Sequence, residues 1–169
     1  MARVEFLSGV ALAAMTLTAP LAAQRLEVAI AAGVSKPLAE ISPTRPGAGV
    51  SVEIQPQLQF RSGFGLGLGF RHTAYAGVPD RGSLYADVRY TGRRGPVRPV
   101  VGLRAGGFVG GDEGGDDAYL GLEIGPIAGI DVPRGRRASF QALGSAYTVL
   151  ALYRGVRLMP GLQVGLVLR

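Results

Sequence analysis

The sequence predicts an all-β chain: eight antiparallel strands joined as an up-and-down meander that closes into a barrel. Three observations predict it. Apolar residues alternate with small or polar ones at a period of two through eight separate segments, as they do on the two faces of a strand. Stretches rich in Gly, Pro, Asp and Arg separate those segments at regular intervals. No helical period between them is long enough to insert a crossover, which leaves neighbouring strands to pair as hairpins.

Taken in chain order, residues 1–23 carry Arg3, an apolar run from Phe6 to Leu17 and a small-residue finish, the layout of a secretory signal peptide cut after Ala23. Residues 24–169 then form one barrel domain. The first strand sets Leu26, Val28, Ile30, Ala32 and Val34 against Glu27, Ala29, Ala31 and Gly33. The second sets Val50, Val52, Ile54, Leu58 and Phe60 against Ser51, Glu53, Gln55, Gln57 and Gln59. In the third, FGLGLGFRH, Phe64, Leu66, Leu68 and Phe70 oppose Gly65, Gly67, Gly69 and Arg71. The fourth sets Leu84, Ala86, Val88 and Tyr90 against Tyr85, Asp87, Arg89 and Thr91, and the fifth sets Val101, Leu103 and Ala105 against Gly102, Arg104 and Gly106. In the sixth, Leu120, Leu122, Ile124 and Ile130 oppose Tyr119, Gly121, Glu123, Gly125 and Asp131. The seventh, Ala138 to Leu150, sets Phe140 and Ala142 against Ser139, Gln141 and Ser145, and the last sets Val156, Leu158, Leu162, Val164, Leu166 and Leu168 against Arg157, Gln163 and Gly165. Pro56, Pro126 and Pro160 fall inside these strands. Proline removes a ladder hydrogen bond, so bulges or displaced strand boundaries are expected there.

The polar faces decide the solvent. A barrel in water turns its apolar residues inward and dresses the outside with charge. These faces are instead rich in Gly, Gln, Ser and Ala, which suits a narrow interior, with the apolar faces turned to hydrocarbon. Eight strands enclose a lumen only wide enough for side chains to fill, so the glycines of the third strand leave room for larger residues from the strands opposite. The inward charges on this assignment are Glu27, Glu53, Asp87 and Glu123 against Arg71, Arg89, Arg104 and Arg157. An unpaired buried ion costs several kcal/mol, so they should pair. Adjacent strands offer Glu53 with Arg71, Arg71 with Asp87, and Arg104 with Glu123. The competing reading makes some of them solvated charges on a soluble sheet.

The chain thereby resembles the small eight-stranded outer-membrane barrels of Gram-negative bacteria, the OmpA transmembrane-domain and OmpX type, over residues 24–169 and by architecture rather than by a motif. The resemblance implies an outer-membrane location, contact with outer-membrane lipid and lipopolysaccharide, and assembly by the barrel assembly machinery. It places RSG, GRRGP and VPRGRR as periplasmic turns and ISPTRPGAG, AGVPDRG, GGDEGGDD and YRG outside. Phe60, Phe64, Tyr90 and Phe140 then fall near the periplasmic rim as an aromatic girdle, with Phe70, Tyr75 and Tyr153 as candidates for the outer one. Such proteins usually end in an aromatic residue read by the assembly machinery, whereas this sequence ends in Arg169, a departure that puts recognition by that route in doubt.

Chemistry is sparse. Cysteine is absent, which removes disulfides, thiolate nucleophiles and cysteine-bound metals. The net charge of +6 comes almost wholly from arginine scattered among strands and turns, against a nucleic-acid stripe. His72, the single histidine, stands beside Thr73 at the outer end of the third strand, about where lipid-A-modifying barrel enzymes keep catalytic groups, but without their serine and acid at matching positions. Asp112, Glu113, Asp116 and Asp117 lie among glycines in loop 110–117, at spacings that are not those of an EF-hand. Arg93-Arg94 and Arg134, Arg136 and Arg137 read as solvated turn charge, or as contacts to anionic lipid or peptidoglycan. The sequence therefore assigns no catalytic, cofactor or metal site. Three functions are left: a structural or interaction barrel with a filled lumen and a surface-loop partner, an outer-membrane lipid-modifying enzyme using His72, or a soluble periplasmic lipocalin-like binder.

Overall fold

The structure is a computed structural model that describes residues 24–36, 47–75, 78–111, 118–151 and 155–169. The signal-peptide reading of 1–23, the acidic residues of loop 110–117 from Asp112 onward, and Tyr153 lie outside the described residues. Eight strands, β1 (Gln24–Ser35), β2 (Gly49–Phe60), β3 (Phe64–Tyr75), β4 (Val78–Thr91), β5 (Arg98–Gly111), β6 (Ala118–Arg134), β7 (Ala138–Ala151) and β8 (Gly155–Leu168), form one closed antiparallel barrel in chain order. β8 closes it against β1 over Val28–Ser35 and Gly161–Leu168.

The register fixes the geometry. Stepping round through paired residues, Arg25, Gln59, Gly65, Arg89, Gly102, Ile127, Ser145, Gly161 and Ser35, the path re-enters β1 ten residues beyond its start. A stagger of that size on eight strands tilts them by roughly 40° and leaves an interior that side chains fill. Strands of 12 residues or more, so tilted, span the roughly 25 Å apolar band of a membrane barrel.

The polarity is inverted relative to a soluble protein. Leu68, Leu84 and Leu26 are 65%, 68% and 64% exposed, whereas Arg104 and Glu123 are 0% and 1% exposed. Only hydrocarbon makes that arrangement favourable over eight strands, because every exposed leucine in water would forgo its burial energy while the buried ions would still be desolvated. The soluble lipocalin-like alternative, which needs an apolar interior, is therefore overturned. A smaller apolar cluster does occur inside, where Phe108, Ile127, Tyr147, Val149 and Met159 pack in the outer half.

Each of the three short turns, after β2, β4 and β6, carries one glycine in the left-handed region, Gly63 (φ 95°), Gly95 (φ 97°) and Gly135 (φ 74°), which is why such short connections close these hairpins. The strands run further into the expected turns than their composition suggests. β4 starts at Val78 and takes in PDRG, β5 continues through GGFVGG to Gly111, and β6 runs to Arg134.

The prolines produce no bulges. β2 pairs with β3 at Ile54–Phe70 and again at Gln57–Gly67 in the same register, and β6 pairs with β7 at Ile124–Thr148 and Ile127–Ser145 likewise. Pro56 and Pro126 face outward and locally interrupt one ladder while the other flank pairs normally, Pro56 with Val28 and Pro126 with Leu103. Pro160 pairs with Ala146 at the outer end, just beyond the β1–β8 ladder, and accepts from the Lys36 amide at 3.2 Å. Among the described residues the register shifts between Thr73 and Tyr75 instead.

Candidate functional site

The lumen holds the chemistry of the molecule. Its width is set by glycines, though the groups that use the space come from neighbouring strands rather than from across the barrel. A Cβ on Gly69 would collide with the Tyr85 ring, and one on Gly67 with the Gln55 amide and, at 2.8 Å, with Asp87. Gly106, the register partner of Tyr85 on β5, is crowded by the backbone and Cβ of Tyr85, while the ring itself lies over Gly69.

On that ring stands Arg104, with its guanidinium carbon 3.8 Å from the ring centroid. Arg104 donates to both oxygens of Glu53 at 2.8 and 3.1 Å, to Asp87 Oδ2 at 3.2 Å and to the Tyr147 hydroxyl at 3.2 Å. Arg89 pairs with Asp87 and donates to Gln55, while Gln55 Nε2 donates to Asp87 at 2.6 Å. A second knot lies nearer the outer end, where Glu123 accepts from Arg71 at 2.5 Å and from Arg81. Arg81 stacks on Phe108 at 3.7 Å and Arg71 on Tyr147 at 4.8 Å. The third knot is at the periplasmic end. Arg169 turns inward to Glu27 at 3.1 Å and Asp131 at 3.0 Å, and Gln57 donates to Glu27 at 2.9 Å.

These pairs differ from the neighbour-strand pairs expected from sequence. Glu53 and Arg71 are register partners, yet Arg104 claims Glu53 and Arg71 reaches Glu123; Asp87 takes Arg89 and Arg104 rather than Arg71. An arginine side chain is long enough to cross this narrow lumen, so partners are chosen across it as well as along the sheet. Arg157 points inward on β8 but forms no ion pair among the described residues. Arg81, Asp131 and Arg169 join the network instead. Composition places Arg81 in the turn AGVPDRG, alternation places Asp131 on the inward face of the sixth strand, and Arg169 stands in sequence only as a departure from the family's aromatic ending.

Phe64 and Tyr90 meet edge to face at 5.4 Å on the outer wall at the short-turn ends of β3 and β4, and Phe140 is exposed near the same end of β7. Phe60 ends β2 beside the lumen mouth. Phe70 is exposed on the wall, but Tyr75 packs against the interior apolar cluster and is not part of an outer girdle. Plain alternation places Tyr75 there, on the inward face it shares with Arg71 and Thr73.

His72 lies on the outer wall, its Nε2 3.1 Å from Asp80 Oδ2. The acid missing from the sequence around His72 is thus supplied by β4. A nucleophile is not: its register partners are Val52 and Gly82, and Thr73 is buried on the lumen side. Among the described residues no three His, Asp or Glu side chains converge as a metal would require.

Solved structures match this architecture. Neisserial surface protein A superposes with a TM-score of 0.70 at 16% identity, over 86% of this chain and 97% of that one. The N-terminal β-barrel domain of Pseudomonas aeruginosa OprF gives a TM-score of 0.52 at 20% identity, over 83% and 96%. The fold is that of the small eight-stranded outer-membrane barrels. Its outward apolar wall and ion-filled lumen suit the chain to that bacterial membrane. No protein-family model and no curated protein matches the sequence.

Proposed function

We propose that the protein is a closed structural and interaction barrel of the outer membrane, neither a general pore nor a lipid-modifying enzyme. The observation that carries this is the occupied cross-section at Arg104, where Glu53, Asp87, Arg89 and Tyr85 are also buried. The cavities flanking that layer measure about 10 and 20 Å³, room for about one water each. Contact with lipid and lipopolysaccharide falls to the outer wall, with Phe60, Phe64, Tyr90 and Phe140 as the periplasmic girdle, and partner contact falls to the barrel ends. Assembly through the barrel assembly machinery, after removal of residues 1–23, completes the reading. The enzyme alternative has His72 and Asp80 in its favour and, among the described residues, no hydroxyl facing them on the outer wall.

Reconstitution tests it. Refolded protein is expected to migrate differently with and without boiling, as a detergent-resistant barrel does, and to give no stable conductance steps in a planar bilayer. Reproducible open-channel steps at neutral pH would contradict the closed-lumen reading; an unchanged mobility would contradict the barrel in lipid.

A further inference from the structure

The arginines are concentrated at one end of the barrel. Arg61, Arg93, Arg94, Arg134, Arg136 and Arg137 sit in or beside the three periplasmic turns, and Arg25, Arg98 and Arg169 join them from the strand ends. Among the described residues the carboxylates at that end are Glu27 and Asp131. The scatter seen along the sequence is thus gathered by the fold, because alternate hairpins bring every second turn to the same rim.

Within this basic rim the lumen widens into a cavity of about 420 Å³, lined by Arg25, Arg61, Arg93, Arg98 and Arg169 against Glu27 and Asp131. That volume is in the range of small-molecule sites, roughly 300–1,000 Å³. Both carboxylates are already bridged by Arg169, at 3.1 and 3.0 Å. Arg25 and Arg98 stand 3.9 Å from them, outside hydrogen-bond reach, and Arg61 and Arg93 form no ion pair among the described residues. Four buried polar atoms of the lining make no hydrogen bond among the described residues: the donors Arg98 Nε and Arg169 Nε, which an oxyanion satisfies, and the acceptors Asp131 Oδ1 and Gln57 Oε1, which it does not. The two unpartnered guanidinium nitrogens mark a place where an accepting group is needed.

Five guanidinium groups facing two carboxylates leave a positive excess in a concave space, which concentrates the field on whatever enters. Guanidinium forks match the paired oxygens of phosphate and carboxylate. We infer that this periplasmic vestibule is a binding site for a multiply charged oxyanion, a phosphate or polycarboxylate group presented along the barrel axis. The site deepens the interaction role proposed above and rests on it for its periplasmic placement.

The test titrates refolded protein in micelles with pyrophosphate while following backbone amide resonances. Saturable movement is expected at Gln57, Gln59, Thr91, Gly92 and Gln141. Arg98→Gln is expected to weaken binding about tenfold, and the exposed turn variant Arg93→Gln to weaken it several-fold. Arg157→Gln, at the other end of the lumen, should leave it unchanged. Parallel titrations with citrate, and nanodiscs of phosphatidylglycerol instead of phosphatidylcholine, separate a carboxylate or lipid-headgroup source from free phosphate; saturation of the same amides by either supports the site and names the source. No saturable movement with any of the three, in protein that keeps its heat-dependent mobility, would overturn the site, as would equal weakening by Arg157→Gln. Protein without the mobility shift would overturn the barrel reading, and the vestibule with it.

Discussion

Replacing Arg104 with leucine is expected to cost about 3–5 kcal/mol of stability, read as a lowered urea midpoint for unfolding from lipid vesicles with little change in slope. Arg104 is fully buried and holds Glu53 by two hydrogen bonds. Without it Glu53 keeps, among the described residues, the 3.3 Å bond from Gln163 and the neighbouring Tyr85 hydroxyl but no cation, whereas Asp87 keeps Arg89 and Gln55. The stranded charge is therefore mainly Glu53. Adding Glu53→Leu to Arg104→Leu is expected to recover a large part of the loss, because an ion pair replaced whole by apolar groups is close to neutral. Equal midpoints for wild type and the single variant would show that the two charges are solvated, not locked in the lumen.

The outer wall yields the second large effect. Leu68→Arg, in the middle of β3 where the native side chain is 65% exposed, is expected to destabilise the protein in vesicles by about 2–4 kcal/mol. In a soluble protein, arginine at so exposed a site costs within about half a kcal/mol, so the size of the change reports the solvent. The matched change Val97→Arg, in the exposed periplasmic turn, should cost far less because its head group reaches water.

Much of this was legible from residues alone, and the reasons are specific. The period-two alternation assigns Val50 to Gln55 on β2 and Phe64 to Arg71 on β3 to the faces they occupy, since a one-residue slip would exchange the faces wholesale. The three periplasmic turns were legible through glycines that positive φ requires. Strand ends were less so. PDRG and the end of GGFVGG have turn composition, yet they lie within β4 and β5 and pair there, Arg81 with Gly110 and Gly82 with Val109, a relation between strands that no single segment displays. Arg81 was hidden for the same reason. The ion partners depended on stagger and on arginine's reach across the lumen, so Glu123 with Arg71 could not be derived from adjacency. Nor could the sequence show that arginines from separate turns share one rim, or that β4 would bring Asp80 to His72.

The central claim is that the leucines of the wall face lipid while a second set of apolar side chains is sealed inside with the ions. Methyl NMR of the refolded protein with a nitroxide carried on a lipid acyl chain tests it most directly. Strong broadening is expected for Leu66, Leu68, Val88 and Leu103, with sharp signals retained by Leu143, Val149 and Val167. The reverse pattern, with the wall leucines protected and the interior set broadened, would contradict the claim.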